Sequence, residues 1–149
     1  MRTVRTIRRL LLLALVLPAA CERVEVDPSV AQRPLPSPGD PVDATLAEAG
    51  AVVFQKRCVA CHRLEGPDLV GPTLGDVADR RDYEWIRGIV LAPDSMLRTD
   101  EDARALLDRY LVPMVDTGLD EPRFRAVLEF LRKTAARGTP RPDAGGGER

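Results

Sequence analysis

Cys58-Val59-Ala60-Cys61-His62 sets two thiols three positions apart, with an imidazole directly after the second. These residue types in this order are the ones that attach a c-type haem. Each thiol adds across one vinyl group on the same porphyrin edge, and the adjacent imidazole then lies under the iron as proximal ligand. The plain alternative is a chance C-x-x-C with a neighbouring His. A thioredoxin-like dithiol expects a βαβ pattern nearby, and none precedes Cys58. A closed zinc site wants four Cys or His ligands. The whole chain holds three Cys and one His, and Cys21 has a separate reading, which leaves fewer ligands than a closed zinc site wants.

The residues around the motif predict helices that would hold it. Asp43 is a plausible N-cap, and Leu46, Ala49, Val53 and Phe54 recur at helical spacing up to the motif. Gly50 inside that helix costs about 1 kcal/mol relative to Ala, which implies that another helix crosses closely there. Asp82 to Val90 reads as a short helix with Tyr83, Trp85, Ile86 and Ile89 as its apolar positions. Pro93 is expected to stop it and Asp94 to Leu97 to begin a loop. Asp100 to Leu111 reads as the next helix, with Ala103, Leu106, Leu107 and Tyr110 on one face. Val112 to Gly118 is too rich in turn residues to continue it. Asp120 then caps a last helix whose Phe124, Val127, Leu128 and Leu131 form one apolar face.

With these residues in place the chain resembles the class I, single-haem cytochromes c, as a bacterial membrane-anchored member. Gly50 and Phe54 ahead of the haem motif are similar to that family's N-terminal helix, and Val127 to Leu131, with Phe130, to its C-terminal helix. The resemblance covers about Ala44 to Arg132. It implies an all-α cytochrome c fold: the N- and C-terminal helices cross, and short helices and loops wrap one haem c. Gly71-Pro72-Thr73-Leu74 resembles the loop after the motif, which implies that the Pro72 carbonyl accepts a hydrogen bond from His62 Nδ1–H and so orients the ring. Trp85 resembles a haem-packing aromatic, and it reads equally well as plain core packing.

His62 is the only histidine, so two histidines cannot ligate one iron within this chain. Thioether sulfur is the remaining natural ligand, and beyond Met1 the choices are Met114 and Met96. Met114 lies in a Pro-flanked segment before the last helix, where the resemblance places the sixth ligand. Met96 is the alternative. Met/His ligation raises the reduction potential.

The two ends read differently from the core. Arg2, Arg5, Arg8 and Arg9, the apolar run Leu10 to Leu17 and the small residues Pro18-Ala19-Ala20 make residues 1–20 a signal peptide. Cys21 follows at once. It reads as a lipoprotein cysteine, acylated to anchor the exported chain on the periplasmic side of a bacterial membrane, with a free thiol at a cleaved end as the other reading. Residues 21–42, with Pro28, Pro34, Pro36, Pro38 and Pro41, are expected to be an extended spacer that buries no core. That leaves a haem domain at 43–137 and a disordered tail at 138–149. Removing the leader's four Arg leaves 18 basic against 23 acidic residues, with no basic footprint for nucleic acid. Aromatics are only 4% of the chain, so a buried porphyrin would supply much of the apolar packing they normally give.

These features point to an electron carrier rather than an enzyme, exchanging electrons with redox partners such as a terminal oxidase or a respiratory reductase. The alternatives are a module that binds CO or NO, a weak peroxidase, or a haem subunit of a larger complex. The first two require the sixth ligand to leave. No distal His is available for catalysis, because His62 is used on the proximal side.

Overall fold

Asp43 Oδ1 accepts from Leu46 N at 3.0 Å and starts the first long helix, α1 (Ala44–Arg57). In the computed structural model, which describes residues 24–138, α1 is followed by α2 (Val77–Arg80), α3 (Tyr83–Leu91), α4 (Pro93–Thr99), α5 (Glu101–Tyr110) and α6 (Glu121–Gly138). The leader, Cys21 and residues 139–149 lie outside the described residues. Among the described residues there is no strand, and no helix is long and apolar enough to cross a membrane. The same local chemistry starts the later helices. Asp82 accepts from Glu84 N and Trp85 N, Asp100 from Ala103 N, and Asp120 from Arg123 N, each satisfying donors that a helix start leaves open.

The core is the crossing of α1 and α6, the most extensive interhelix interface in the molecule. An added Cβ at Gly50 would stand 1.8 Å from the Ala126 carbonyl oxygen and 3.0 Å from Phe130 Cβ. The two backbones therefore meet directly, and only hydrogen fits between them. Phe54 and Phe130 flank the contact with ring centroids 5.3 Å apart, and Val53, Phe124, Val127, Leu128 and Leu131 are buried around it. The buried face of α1 is Ala47, Gly50, Val53 and Phe54, while Leu46 and Ala49 are only half-buried. Val53 and Phe54 are buried as expected, and Ala47 and Gly50 take the places expected of Leu46 and Ala49 because small residues let the two helices close at the crossing.

The Pro-rich segment is not the free spacer that its composition predicts. Pro28–Gln32 forms a 3-10 helix with Val30 buried, and Val24 and Leu35 pack against the core cluster. Guanidinium groups of α6 hold the rest: Arg125 donates to the Pro34 carbonyl at 2.8 Å and Arg132 to the Asp40 carbonyl at 2.6 Å. Glu129 accepts from both Arg132 and Asp43 N, so this buried carboxylate is fully partnered. Backbone carbonyls outside regular structure are free to accept, and the buried arginines of α6 supply donors to them. Pro93 also departs from expectation. It opens α4 at the first helical position, where its missing N–H costs nothing, and so places Met96 on a helix rather than in a loop. Gly138 ends α6 instead of beginning a tail.

Gly→Ala normally stabilises a helix interior by about 0.5–1 kcal/mol. At Gly50 the sign should reverse. Gly50→Ala should lower unfolding free energy by at least about 2 kcal/mol in denaturant titrations, because the obstacle is a backbone carbonyl that cannot rotate away.

Candidate haem site

Cys58 ends α1, its N–H bonded to the Phe54 carbonyl, and the chain turns so that Cys61 N and His62 N both donate to the Cys58 carbonyl, at 3.0 and 2.9 Å. That single turn brings both thiols and the imidazole to one wall of a cleft. The thiols are unpaired. Burial, with Cys61 nearby, pushes the Cys58 thiol up to about 11, opposite to the lowered value that a redox-active dithiol needs. Among the described residues no three Cys, His, Asp or Glu side chains converge as a structural zinc would require.

The loop from residue 63 to 74 folds back over the motif, with Gly71 N donating to the Cys61 carbonyl and Leu74 N to the Arg63 carbonyl. It ends with the Pro72 carbonyl 2.8 Å from His62 Nδ1. A carbonyl can only accept, so Nδ1 carries the proton and Nε2 presents its lone pair. Gly71 makes the approach possible, because a Cβ there would lie 2.6 Å from His62 Cε1. The loop is tied down at Asp68, which accepts from Thr73 N at 2.8 Å, Thr73 Oγ1 at 3.0 Å and Tyr110 Oη at 2.6 Å, with Arg109 at 3.3 Å. The Tyr110 and Thr73 hydrogen bonds hold this carboxyl down at about 2.

The remaining walls are apolar. Helix α3 contributes Trp85, Ile86 and Ile89, α5 contributes Leu106 and Leu107, and α6 contributes Val127 and Leu131. Trp85 lines the cleft and packs on the core cluster. Its Nε1–H donates to Asp100 Oδ1 at 3.0 Å, and Arg81 lies 4.5 Å over its ring. The Ala103 backbone N–H and then Trp85 lower the Asp100 carboxyl, so one charge both caps α5 and fixes the indole.

The two candidate sulfurs are separated by the fold. Met114 lines the cleft in the segment between α5 and α6. Met96 is not among the lining residues; its thioether packs against Gly88 of α3, where a Cβ would meet the sulfur at 2.7 Å. Leu111, in the left-handed region at φ 58°, ends α5 and turns the chain into the Met114 segment.

This residue set fits haem c. Cys58 and Cys61 would hold the porphyrin edge, His62 Nε2 would be the nitrogen left free for the iron, and the cleft walls suit an apolar ring. The fold also contributes what local pattern did not reveal: the Asp68–Tyr110 tie, between residues 42 apart, and a buried hydroxyl at Thr117 in the cleft wall. Neither carries a short-range signal.

Comparison with known proteins gives a consistent picture. A family model described as Cytochrome c matches residues 47–135. Among solved structures, a cytochrome c from Rhodothermus marinus is 36% identical with a TM-score of 0.65, over 72% of this chain and 95% of that chain. An engineered form of that cytochrome, bound to a carbene intermediate, is 35% identical with a TM-score of 0.62, over 72% of this chain and 95% of that one. The cytochrome c domain of the pp3183 protein from Pseudomonas putida is 28% identical with a TM-score of 0.53, over 59% of this chain and 89% of that domain. Comparison with curated protein sequences gave no match.

The Asp68 tie has a testable acid signature. Its carboxyl sits at about 2 in the fold against an ordinary 3.8. A lowered native value adds stability that is complete above the unfolded value and disappears as pH falls through the folded one. The melting-temperature difference between wild type and Asp68→Asn should therefore be constant above about pH 5 and shrink as pH falls from about 5 toward 1.

Proposed function

We propose, on the premise that this chain belongs to the cytochrome c family, that it carries single electrons between respiratory-chain partners outside the cytoplasm. Haem c, bound covalently, supplies Fe(III)/Fe(II) exchange, and the protein supplies ligands, a dry pocket and a docking face. The observation that carries the reading is the placing of His62 and Met114 in one cleft while Met96 is packed elsewhere. If His62 and Met114 both ligated the iron, they would leave no position on it for a substrate. His62 is held by the Pro72 carbonyl, and Met114 by a short segment between two helices. Little must move when the charge changes.

Apolar side chains at the cleft mouth support transient docking. Val70, Val112 and Val115 line the cleft and are 40%, 50% and 66% exposed, and Leu111 beside them is 81% exposed. The acidic excess of the processed chain favours a partner whose docking face is not strongly acidic. Such faces fit a terminal oxidase or a respiratory reductase.

Export by the N-terminal leader and lipid attachment at Cys21 complete the proposal. The docking of the chain from Val24 onward changes what the anchor would do. Only residues 22 and 23 separate Cys21 from the packed chain, a reach of about 10 Å rather than a long leash. The domain would work close against the membrane, sampling partners that diffuse to it. A detergent-phase partition that is lost on Cys21→Ser is the expected sign of the lipid; an unchanged partition would remove it.

The ligand assignment is checked by absorption. Met114→Ala should abolish the thioether-to-iron charge-transfer band, and Met96→Ala should keep it; the reverse pattern would exchange the two. The carrier reading is checked with CO. The reduced protein at neutral pH should keep its six-coordinate spectrum, whereas a prompt change would favour ligand binding or peroxidase chemistry.

A further inference from the structure

Pro72 and Thr73 share one peptide group, and both of its polar atoms are engaged. The Pro72 carbonyl accepts from His62 Nδ1–H at 2.8 Å, and the Thr73 N–H donates to Asp68 Oδ1, also at 2.8 Å. Imidazole and carboxylate are therefore joined through a single planar, conjugated unit. Arg80 donates instead to the Thr73 carbonyl at 2.9 Å, which belongs to the next peptide along. The other carboxylate oxygen, Asp68 Oδ2, accepts from Tyr110 Oη at 2.6 Å and faces Arg109 at 3.3 Å. The Tyr110 and Thr73 bonds hold this carboxyl down at about 2, so it is charged at neutral pH.

A charged acceptor draws an N–H proton more strongly than a neutral oxygen does. Through amide resonance this adds negative charge to the carbonyl oxygen of the same peptide, and bonds chained in this way strengthen one another by about 10–30% each. The route matters because the Asp68 side chain is 35% exposed. Its field through solvent is screened, whereas polarisation through the peptide does not cross water.

We propose that Asp68 sets the electron-donating strength of His62 through the Pro72–Thr73 peptide, making it a positioning residue that lowers the reduction potential. The inference rests on the reading of His62 as the proximal ligand of haem c. A more negative Pro72 oxygen pulls the Nδ1 proton harder. The ring then gains imidazolate character, Nε2 becomes the stronger donor, and Fe(III) is favoured over Fe(II). Asp68 thus does more than hold its loop in place: the charge itself reaches the ligand.

The test uses the full holoprotein, nitrogen-labelled and reduced, with Asp68→Asn, Tyr110→Phe and Glu65→Gln, each studied at neutral pH by redox titration and by the NMR signal of His62 Nδ1–H. His62 is the only histidine, so its signal is identified without ambiguity. Asp68→Asn keeps an oxygen for the Thr73 N–H but removes the charge. It should move the Nδ1–H signal upfield, as a weaker hydrogen bond does, and raise the Fe(II) to Fe(III) ratio at a fixed potential by about two- to fivefold, the size of a 10–30% change in one bond. Tyr110→Phe loosens the loop but leaves the charge with one donor fewer, so its signal should stay or move downfield. Glu65→Gln removes an exposed charge from the same loop and should leave the signal in place. An unmoved signal in Asp68→Asn would overturn the proposal, even with a raised potential, because the charge would then act through space. An upfield shift shared by Tyr110→Phe would also overturn it, because Asp68 would then only hold the loop. The His62 ring protons separate the two levels. Without the large upfield displacement that a porphyrin ring current gives an axial imidazole, the ligand assignment fails and the proposal with it; with that displacement and a silent Asp68→Asn, only the role of Asp68 fails.

Discussion

The contact between Gly50 and the Ala126 carbonyl sets the distance between α1 and α6, and the haem motif is placed from there. Helix α1 ends at Arg57, so Cys58 begins its turn just over two helical turns from the crossing point. Helix α6 supplies Val127 and Leu131 to the cleft within about one and a half turns beyond Ala126. A wider separation would move the thiols on one helix away from the wall provided by the other. A single missing side chain therefore controls both the core packing and the width of the pocket. This is why a residue with poor helix propensity can be favourable there.

Around that crossing the chain uses buried charge to secure pieces that hydrophobic burial alone would leave loose. Arg125, Glu129 and Arg132 are all less than 10% exposed. Each is paired or bonded to a backbone carbonyl or N–H, as a buried ion must be. Their partners include Pro34, Asp40 and Asp43, so α6 organises the approach to α1 as well as the core. On the opposite side Asp68 does a similar job for the loop that presents Pro72 to His62. Two carboxylates and two guanidinium groups thus set the framework within which one imidazole is aimed.

What could be read in advance was whatever depends on neighbours in sequence. The caps expected at Asp43 and Asp120 are local bonds to residues three positions on, and both are found in the fold, as are the same bonds at Asp82 and Asp100. The apolar face of α6 and the need for a close crossing at Gly50 follow from periodicity and from one misplaced glycine. The haem motif carries its chemistry in five consecutive residues. What could not be read depends on distant partners. The Pro-rich segment looks unable to pack until arginines some 90 residues later are seen to bind its carbonyls. Pro93 stops one helix and starts another at the same residue, and local pattern cannot separate those outcomes. The resemblance prefers Met114 to Met96 by its segment alone, but which thioether lines the cleft depends on the packing of helices distant in sequence.

The account stands or falls on a porphyrin joined by two thioether bonds to Cys58 and Cys61. The direct measurement is chromatography of the exported protein, matured in cells that attach such groups, in strong denaturant and acidified solvent with absorbance and mass followed together. The expected result is pigment that stays with the polypeptide, at one haem per chain, and that is lost in a Cys58→Ala, Cys61→Ala double variant. A colourless polypeptide eluting apart from free haem would contradict it.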